Sequence, residues 1–557
     1  MKITGSQAVI ESLLKEKVEV IFGYPGGANM PIYDALYDYK NKIRHILVRH
    51  EQGATHAAEG YARIAGKAGV CFATSGPGAT NLVTGIADAL MDSVPLVCIT
   101  GQVASHLIGT DAFQETDVIG ITAPITKWNY QITKIEEIPE VFAKAFFIAQ
   151  NGRPGPVVID ITKDVQFKTF DFNYPKKYQL KKLISPTPSV KNIKQLAEIV
   201  NYAKKPLLIV GHGALISRAS QILIEFIKKT NMPVASTLLG LGTIPTSHKN
   251  YVGMVGMHGN YSPNVLTNKA DVIIAVGMRF DDRVTSTIST YAPNAKIIHI
   301  DIDASEINKN IKSYFGIVGD ANIVFTNAMP FIKKNEHHEW LDEFKKLEIH
   351  AKKTTNTQPK KPGITQQEVI SMISDKTNGE AIIVADVGQN QMFAARYYQY
   401  KNPNSYITSG GLGTMGFALP ASIGVKIATP KTQVIAVIGD GGFQMTIQEL
   451  GTIFQEKLPI KILILNNEYL GMVRQWQEMF FEKRYSFTHL LNPDFITISK
   501  GYGIPANLVK EKKELKRAID KFLSDDGPTL LEVVVEKENN IFPMIPSGAA
   551  VDEIRIK

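Results

Sequence analysis

Two polar clusters in the last third of the chain close short apolar runs, and their residue types suit metal and phosphate chemistry. Gly439-Asp440-Gly441-Gly442 follows Val434–Ile438, and Asn466-Asn467 follows Ile462–Leu465. Both runs are short, continuous and β-branched, which predicts buried parallel strands. Ligands of an open α/β sheet gather at the carboxyl ends of its strands. There Asp440 offers a carboxylate and Asn467 a side-chain carbonyl. These are hard oxygens of the kind magnesium takes in an octahedron completed by phosphate and water. Gly441 and Gly442 leave the backbone bare before a predicted helix over 444–449. Unpaired N–H groups at a helix start receive phosphate oxygens. Taken singly, each cluster is an ordinary strand-end turn, where Gly, Asp and Asn are common. Together they point to a diphosphate cofactor.

A third candidate lies far away in the sequence. Arg49-His50-Glu51-Gln52-Gly53-Ala54 opens a predicted helix directly after a strand. At its simplest, Glu51 is a first-turn acid favoured by the helix dipole. It falls in a different structural unit from Asp440, so a cofactor meeting both must sit between units.

The elements that position these residues form an α/β pattern. A capping-box sequence, Thr4-Gly5-Ser6-Gln7, opens a helix with an apolar stripe at Val9, Ile10, Leu13 and Leu14. Strand-like runs follow at Val18–Phe22, Ile46–Val48, Val70–Ala73, Pro95–Thr100 and Val157–Ile161, with helical patterns such as Gly53–Ala65 between them. This alternation predicts a mostly parallel sheet covered on both faces. Lys168–Val190 is rich in Lys, Tyr, Phe and Pro and reads as a linker. A second α/β unit carries Leu207–Val210 before Gly211-His212-Gly213, Val272–Val276 before Gly277, and Ile297–Ile300 before Asp301. A second linker spans about Lys352–Gly363, and Thr365-Gln366-Gln367-Glu368 then caps the third unit. The fold class is α/β, with three doubly wound parallel-sheet domains at 1–170, 190–345 and 364–540 and a C-terminal lid or tail at 541–557. The openings of units one and three echo each other, which suggests distant copies. Gly411-Leu412-Gly413-Thr414-Met415-Gly416 lies in a run that fits G-x-G-x-x-G. The preceding Tyr406-Ile407-Thr408 is short and polar-flanked, so a nicotinamide site is not expected there.

Composition excludes several classes. The 557 residues are 44% hydrophobic and 20% charged, with no apolar run of membrane-spanning length, so no membrane association is expected. The first residues carry neither a signal nor a transit pattern, which argues for a cytoplasmic protein. The 2 cysteines, Cys71 and Cys98, sit in apolar runs and read as reduced core residues. The net charge of +8 comes from scattered lysines, with local pairs such as Lys352-Lys353, Lys360-Lys361 and Lys512-Lys513. No aromatic residues interleave with them, so a solvated surface is expected and no nucleic acid.

The G-D-G and N-N pair resembles the thiamine-diphosphate motif of the thiamine-dependent enzymes, and R-H-E-Q-G-A resembles the motif of their activating glutamate. Further runs narrow the resemblance: Gly256-Met257-His258-Gly259, Arg279-Phe280-Asp281-Asp282-Arg283-Val284, His299-Ile300-Asp301, Gly319-Asp320-Ala321, G-T-D-A-F-Q-E around Gln114, G-R-P-G-P from Gly152 and G-M-V-R-Q-W-Q from Gly471. These resemble the acetohydroxyacid synthase branch of that family over nearly the whole chain. The resemblance implies thiamine diphosphate, Mg2+ and FAD as cofactors.

It also implies roles for individual residues. Tyr24, Gly27, Glu51, Pro77, Asn81 and Gln114 would line the pyrimidine and reaction side. Gln389, Asn390, Gly413, Met415, Gly441 and Gly442 would hold the rest of thiamine diphosphate, with Met415 as the wedge that bends it. Asp440, Asn467 and the Tyr469 backbone oxygen would bind magnesium. Arg153, Gly211, Gly213, Thr237, Leu238, Met257, His258, Arg279, Arg283, Asp301, Asp320 and Ala321 would contact FAD. Phe113, Lys163, Met472, Val473 and Trp476 would shape the substrate channel, Arg283 would hold the second substrate's carboxylate, and Trp476 would sieve its side chain. Two departures stand out: Asn390 replaces a usual His, with its donor expected to suffice, and His212 replaces a small residue in a glycine turn.

The implied reaction decarboxylates pyruvate and ligates the two-carbon unit to pyruvate or 2-oxobutanoate. The products are 2-acetolactate or 2-aceto-2-hydroxybutanoate, for valine, leucine and isoleucine biosynthesis. The alternative is a thiamine- and flavin-dependent pyruvate oxidase. Implied partners are a second copy in a homodimer or tetramer, with active sites at the subunit interface, and a small regulatory subunit.

Overall fold

The computed structural model describes residues 2–175, 187–354 and 363–556. Parts of both expected linkers, including Lys360-Lys361, lie outside the described residues. Three 6-stranded sheets carry the chain, each parallel throughout. The first holds Val20–Gly23, Arg44–Leu47, Gly69–Ala73, Leu96–Gln102, Trp128–Ile132 and Pro156–Thr162. They lie side by side as second, first, third, fourth, sixth, fifth. The third sheet holds Ile382–Ala385, Tyr406–Thr408, Val434–Gly439, Ile460–Asn466, Ala506–Val509 and Thr529–Val534 in the same lateral order. That shared order agrees with the echo between the two openings. Both openings also form complete capping boxes, at Thr4 with Gln7 and at Thr365 with Glu368.

The middle sheet differs. Its strands Pro206–Val210, Val234–Ser236, Tyr251–Met254, Val272–Val276, Lys296–Asp301 and Phe315–Val318 run third, second, first, fourth, fifth, sixth. This is the dinucleotide-binding order, with its ligand crevice where the first and fourth strands part. Those two strands end at Gly211 and Gly277.

Units one and three meet along two helices, Glu51–Ala65 and Ala418–Ala428. Small residues let the backbones close up. A Cβ on Gly60 would lie 2.1 Å from the Ala421 carbonyl oxygen, and one on Gly424 would lie 1.7 Å from that of Ala57. Arg63 stacks over Phe417 at 5.8 Å, just before the second helix begins. His56 meets the same ring at 5.3 Å, so Phe417 packs between two turns of the first helix.

Several expectations need correction. The helix predicted over 444–449 begins instead at Asp440, running Asp440–Met445 and then turning through Ile447–Glu449 and Leu450–Gln455. The two glycines are tolerated in its first turn because the turn packs tightly: a Cβ on Gly442 would lie 2.4 Å from Asp386 Oδ1. Tyr406–Thr408 is a buried edge strand. The glycine run after it continues as a loop to Ala418 rather than opening a helix, and this is what separates it from a nicotinamide fingerprint. The start of the first linker is ordered, because Thr169–Asp171 pairs antiparallel with Lys2–Thr4. The tail is a strap packed on the middle unit. Ile545, Val551 and Ile554 join that unit's core, and Ile545 N–H donates to the Met257 carbonyl at 2.8 Å. Among the described residues no helix is long and apolar enough to cross a membrane.

Candidate functional site

The first half of the site lies along the carboxyl edge of the first sheet. Tyr24 and Gly27 follow its first strand, Glu51 its second, Pro77 and Asn81 its third, Phe113 and Gln114 its fourth, and Lys163 its last. Glu51 is buried at 9% exposure, and its carboxylate accepts the Asn81 amide at 2.9 Å. No Cβ contact would arise within 4 Å of Gly27, and Phe113 is 88% exposed, so this edge has room for a ligand. Gln114 sits in the left-handed region at φ 62°, with its backbone stacked on Gly76.

The second half lies along the carboxyl edge of the third sheet. Asp440 starts a helix directly at the strand end and is 1% exposed. Burial pushes its carboxyl up to about 6, against the Asn492 amide that donates to Oδ2 at 2.8 Å. Asn467 Oδ1 accepts the Tyr469 N–H at 3.0 Å and keeps a second lone pair. A buried acid, an amide oxygen and a backbone carbonyl around one small cavity fit a divalent cation. Gly441 forms part of the wall, where a Cβ would meet Leu470 at 2.8 Å.

Asn390 departs from its expected role. Its amide donates to the Asp386 carbonyl at 2.8 Å and the Val437 carbonyl at 3.1 Å, so in this structure the side chain braces the turn. Gln389 is likewise engaged, donating to Gln475 at 3.0 Å and accepting from Asn467 at 3.3 Å.

A cavity of about 870 Å3 opens at the switch point of the middle sheet and runs to the Asp440–Asn467 pocket. Arg153, Gly213, Thr237, Leu238, Met257, His258, Arg279, Arg283, Asp301, Asp320 and Ala321 all line it, beside Gly413, Met415, Met472, Val473 and Trp476. Gly211 does not line it. It lies beneath, where a Cβ would come within 2.3 Å of the Gly277 carbonyl oxygen, so its role is close packing. His212 turns to the first unit, donating from Nδ1 to the Asp92 carbonyl at 2.8 Å. Arg153 pairs with Glu306 at 2.8 Å. Asp301 is pushed up to about 6 by burial while accepting the Asp303 N–H. His258 is held down to about 3, first by burial, and its Nδ1 has no hydrogen-bond partner. Glycines at the strand ends, acids suited to ribose hydroxyls, arginines and an orphaned imidazole nitrogen fit a flavin dinucleotide.

Neither cavity is lined by residues of both sheet edges: Tyr24, Gly27, Glu51, Pro77, Asn81, Gln114 and Lys163 border neither the cleft nor the Asp440–Asn467 pocket. The third unit does reach the start of the Glu51 helix through Glu449, whose carboxylate accepts the Arg49 and His50 N–H groups at 3.0 and 3.1 Å.

Sequence reasoning missed several supports. Asn492 holds Asp440 from a distant loop, and nothing in its neighbourhood signals this. Asp386 accepts the Gly416 and Ala418 N–H groups at 3.0 and 2.9 Å, fixing the loop that carries Met415. Its place at a strand end was the available signal.

Three family models match the chain. They are the thiamine pyrophosphate enzyme N-terminal TPP binding domain over residues 3–121, the central domain over 193–328 and the C-terminal TPP binding domain over 386–533. The acetolactate synthase large subunit of Corynebacterium glutamicum is 46% identical, over 100% of this chain and 90% of that protein. That of Lactococcus lactis is also 46% identical, over 99% and 96%. The acetolactate synthase isozyme 2 large subunit of Escherichia coli is 43% identical, over 99% of both chains.

Proposed function

The chain belongs to the thiamine pyrophosphate enzyme family, among the acetolactate synthase large subunits, and on that footing we propose how its residues perform the carboligation. It decarboxylates pyruvate and joins the two-carbon unit to a second 2-oxo acid. The observation that carries the reading is the Asp440–Asn467 pocket opening directly onto a cleft of dinucleotide order beside Trp476. Bound thiamine diphosphate supplies the electron sink for decarboxylation.

Each protein group then has a physical task. Asp440, Asn467 and the Tyr469 carbonyl hold Mg2+, and the first-turn N–H groups at Gly441 and Gly442 receive diphosphate oxygens. Met415 would be the wedge against the cofactor, and the Gly413 backbone would hold its pyrimidine amino group. Glu51, buried at 9% exposure, would share a proton with the aminopyrimidine. Tyr24, Gly27, Pro77, Gln114 and Lys163 wall the reacting side. The long cleft would hold FAD as a structural cofactor. Arg283, largely exposed at the cleft mouth, takes the second acid's carboxylate in a charge-assisted bond.

The two half-sites stand apart in one chain, so the working unit is a homodimer in which Glu51 of one copy faces Asp440 of the other. A small regulatory subunit is a further partner of this reading, since several relatives are named large subunits. The free, buried Cys71 and Cys98 suit a reducing compartment such as the cytoplasm.

Incubation with pyruvate, thiamine diphosphate, Mg2+ and FAD is expected to yield acetolactate with the flavin remaining oxidised. Bleaching of the flavin by pyruvate, with peroxide formed in air, would establish an oxidase instead. Trp476 stands on the helix Gly471–Phe480, its ring tilted against Phe480 at 5.0 Å, and lines the cleft. Contact with one extra methyl group is worth roughly 1–3 kcal/mol. Trp476→Leu is therefore expected to lower the preference for 2-oxobutanoate over pyruvate by about 10-fold or more. An unchanged product ratio in a mixed-substrate assay removes Trp476 from this role.

A further inference from the structure

All three units meet at one short segment that the mechanism above leaves unused. The helix Val83–Asp92 ends at Asp92, and Ser93 follows in the left-handed region at φ 59°. The Asp92 carboxylate is 1% exposed. It accepts the Gly410 N–H at 2.9 Å and the Gly411 N–H at 2.7 Å, both from the glycine loop of the third unit, and the Arg63 guanidinium at 2.8 Å. Its backbone carbonyl accepts His212 Nδ1–H at 2.8 Å, from the glycine turn of the middle unit. Ser93 Oγ accepts Arg153 Nε–H at 2.8 Å. One turn earlier, Asp88 accepts the Ser409 hydroxyl at 2.5 Å, and Ser409 Oγ in turn accepts the Thr414 N–H at 2.8 Å.

Two ligand sites therefore share an anchor. His212 and Arg153 line the flavin cleft. Gly410 and Gly411 lead directly to Gly413 and Met415, which the thiamine reading places against the other cofactor. The loop has no slack against this anchor: a Cβ on Gly411 would lie 2.8 Å from Asp92 Oδ1 and 3.1 Å from Arg279 Nη2. Burial holds His212 down to about 4, so a neutral imidazole makes the bond to the Asp92 carbonyl. That bond does not come and go near neutral pH.

We infer that Asp92 is a positioning residue that couples the flavin cleft to the thiamine pocket. Flavin fixes the His212 turn and Arg153, these fix Asp92 and Ser93, and the carboxylate fixes the Gly410–Gly413 loop. Linkage makes the effect reciprocal, so each cofactor tightens the binding of the other. The inference rests on the flavin and thiamine assignments above, and it gives a non-redox flavin a task in the chemistry of the neighbouring site.

The test titrates FAD into protein stripped of both cofactors, followed by flavin fluorescence, with and without saturating Mg2+ and thiamine diphosphate. In the parent protein the FAD Kd is expected to tighten by roughly 5–150-fold when thiamine diphosphate is present. In Asp92→Asn, which loses the paired grip on two N–H groups, the ratio is expected to fall close to one. A merely structural role would weaken both constants and leave their ratio intact. His212→Phe spares the carboxylate but cuts the link to the middle unit, so it should also shrink the ratio, and it decides the matter if Asp92→Asn does not fold. Hydrogen exchange gives a reading independent of thiamine: FAD alone should slow the Gly410 and Gly411 amides in the parent and not in His212→Phe. A parental ratio in both variants, or a ratio of one in the parent, overturns the coupling. Absence of any FAD binding to the parent overturns the flavin assignment and the coupling with it.

Discussion

Glu51→Gln is expected to reduce pyruvate turnover by about 10²–10⁴-fold, the usual contribution of a positioned acid–base group. The carboxylate sits at 9% exposure at the start of a helix, oriented by the Asn81 amide at 2.9 Å. Gln keeps the shape and loses the exchangeable acid proton. Cofactor affinity should change little, because on this proposal the opposite half-site would hold the diphosphate. The decisive measurement is hydrogen–deuterium exchange at the reactive carbon of bound thiamine diphosphate, made beside steady-state turnover. Both should slow together. A variant that exchanges and turns over at the parental rate would remove Glu51 from proton sharing.

Asp440→Ala should fail differently. It removes the buried carboxylate that would face the metal, so turnover should collapse with the loss of Mg2+ and thiamine diphosphate binding. The absence of Glu51 from the lining of the Asp440 pocket then yields a sharper expectation. If Glu51 of one copy works with Asp440 of the other, a heterodimer of Glu51→Gln with Asp440→Ala carries both lesions in one site and none in the second. Dissociating and re-pairing equal amounts of the two inactive variants is expected to restore about a quarter of the parental rate: half of the dimers are mixed, and each has one sound site of two. Activity that stays at zero, with mixed dimers present by mass, would mean that both residues serve the same site from a single chain.

Much of this arrangement was legible in the residue order because buried parallel strands are continuous apolar runs and their ends carry the polar clusters. Asp440, Asn467 and Glu51 all lie within a few residues of such ends. What stayed hidden was edge structure and cross-unit bonding. Trp128–Ile132, half-buried along most of its length, and Ala506–Val509, partly exposed, lack a continuous apolar signal because one side of an edge strand faces solvent. The helix start at Asp440 was read late because glycines in a first turn look like loop until the contact with Asp386 is seen. The Asn390 amide bonds to two main-chain carbonyls, a pairing with no sequence signature. Asn492 and Asp92 act on residues far from them in the chain, and a single sequence does not encode such pairs locally.

The seam between the Glu51–Ala65 and Ala418–Ala428 helices has a mechanical consequence. Main chain rests against main chain at Gly60 and Gly424, with no side chains between them to slide or repack. Sliding of the outer two units past each other is therefore opposed by main-chain contact at both positions, and a side chain at either would have to force the helices apart.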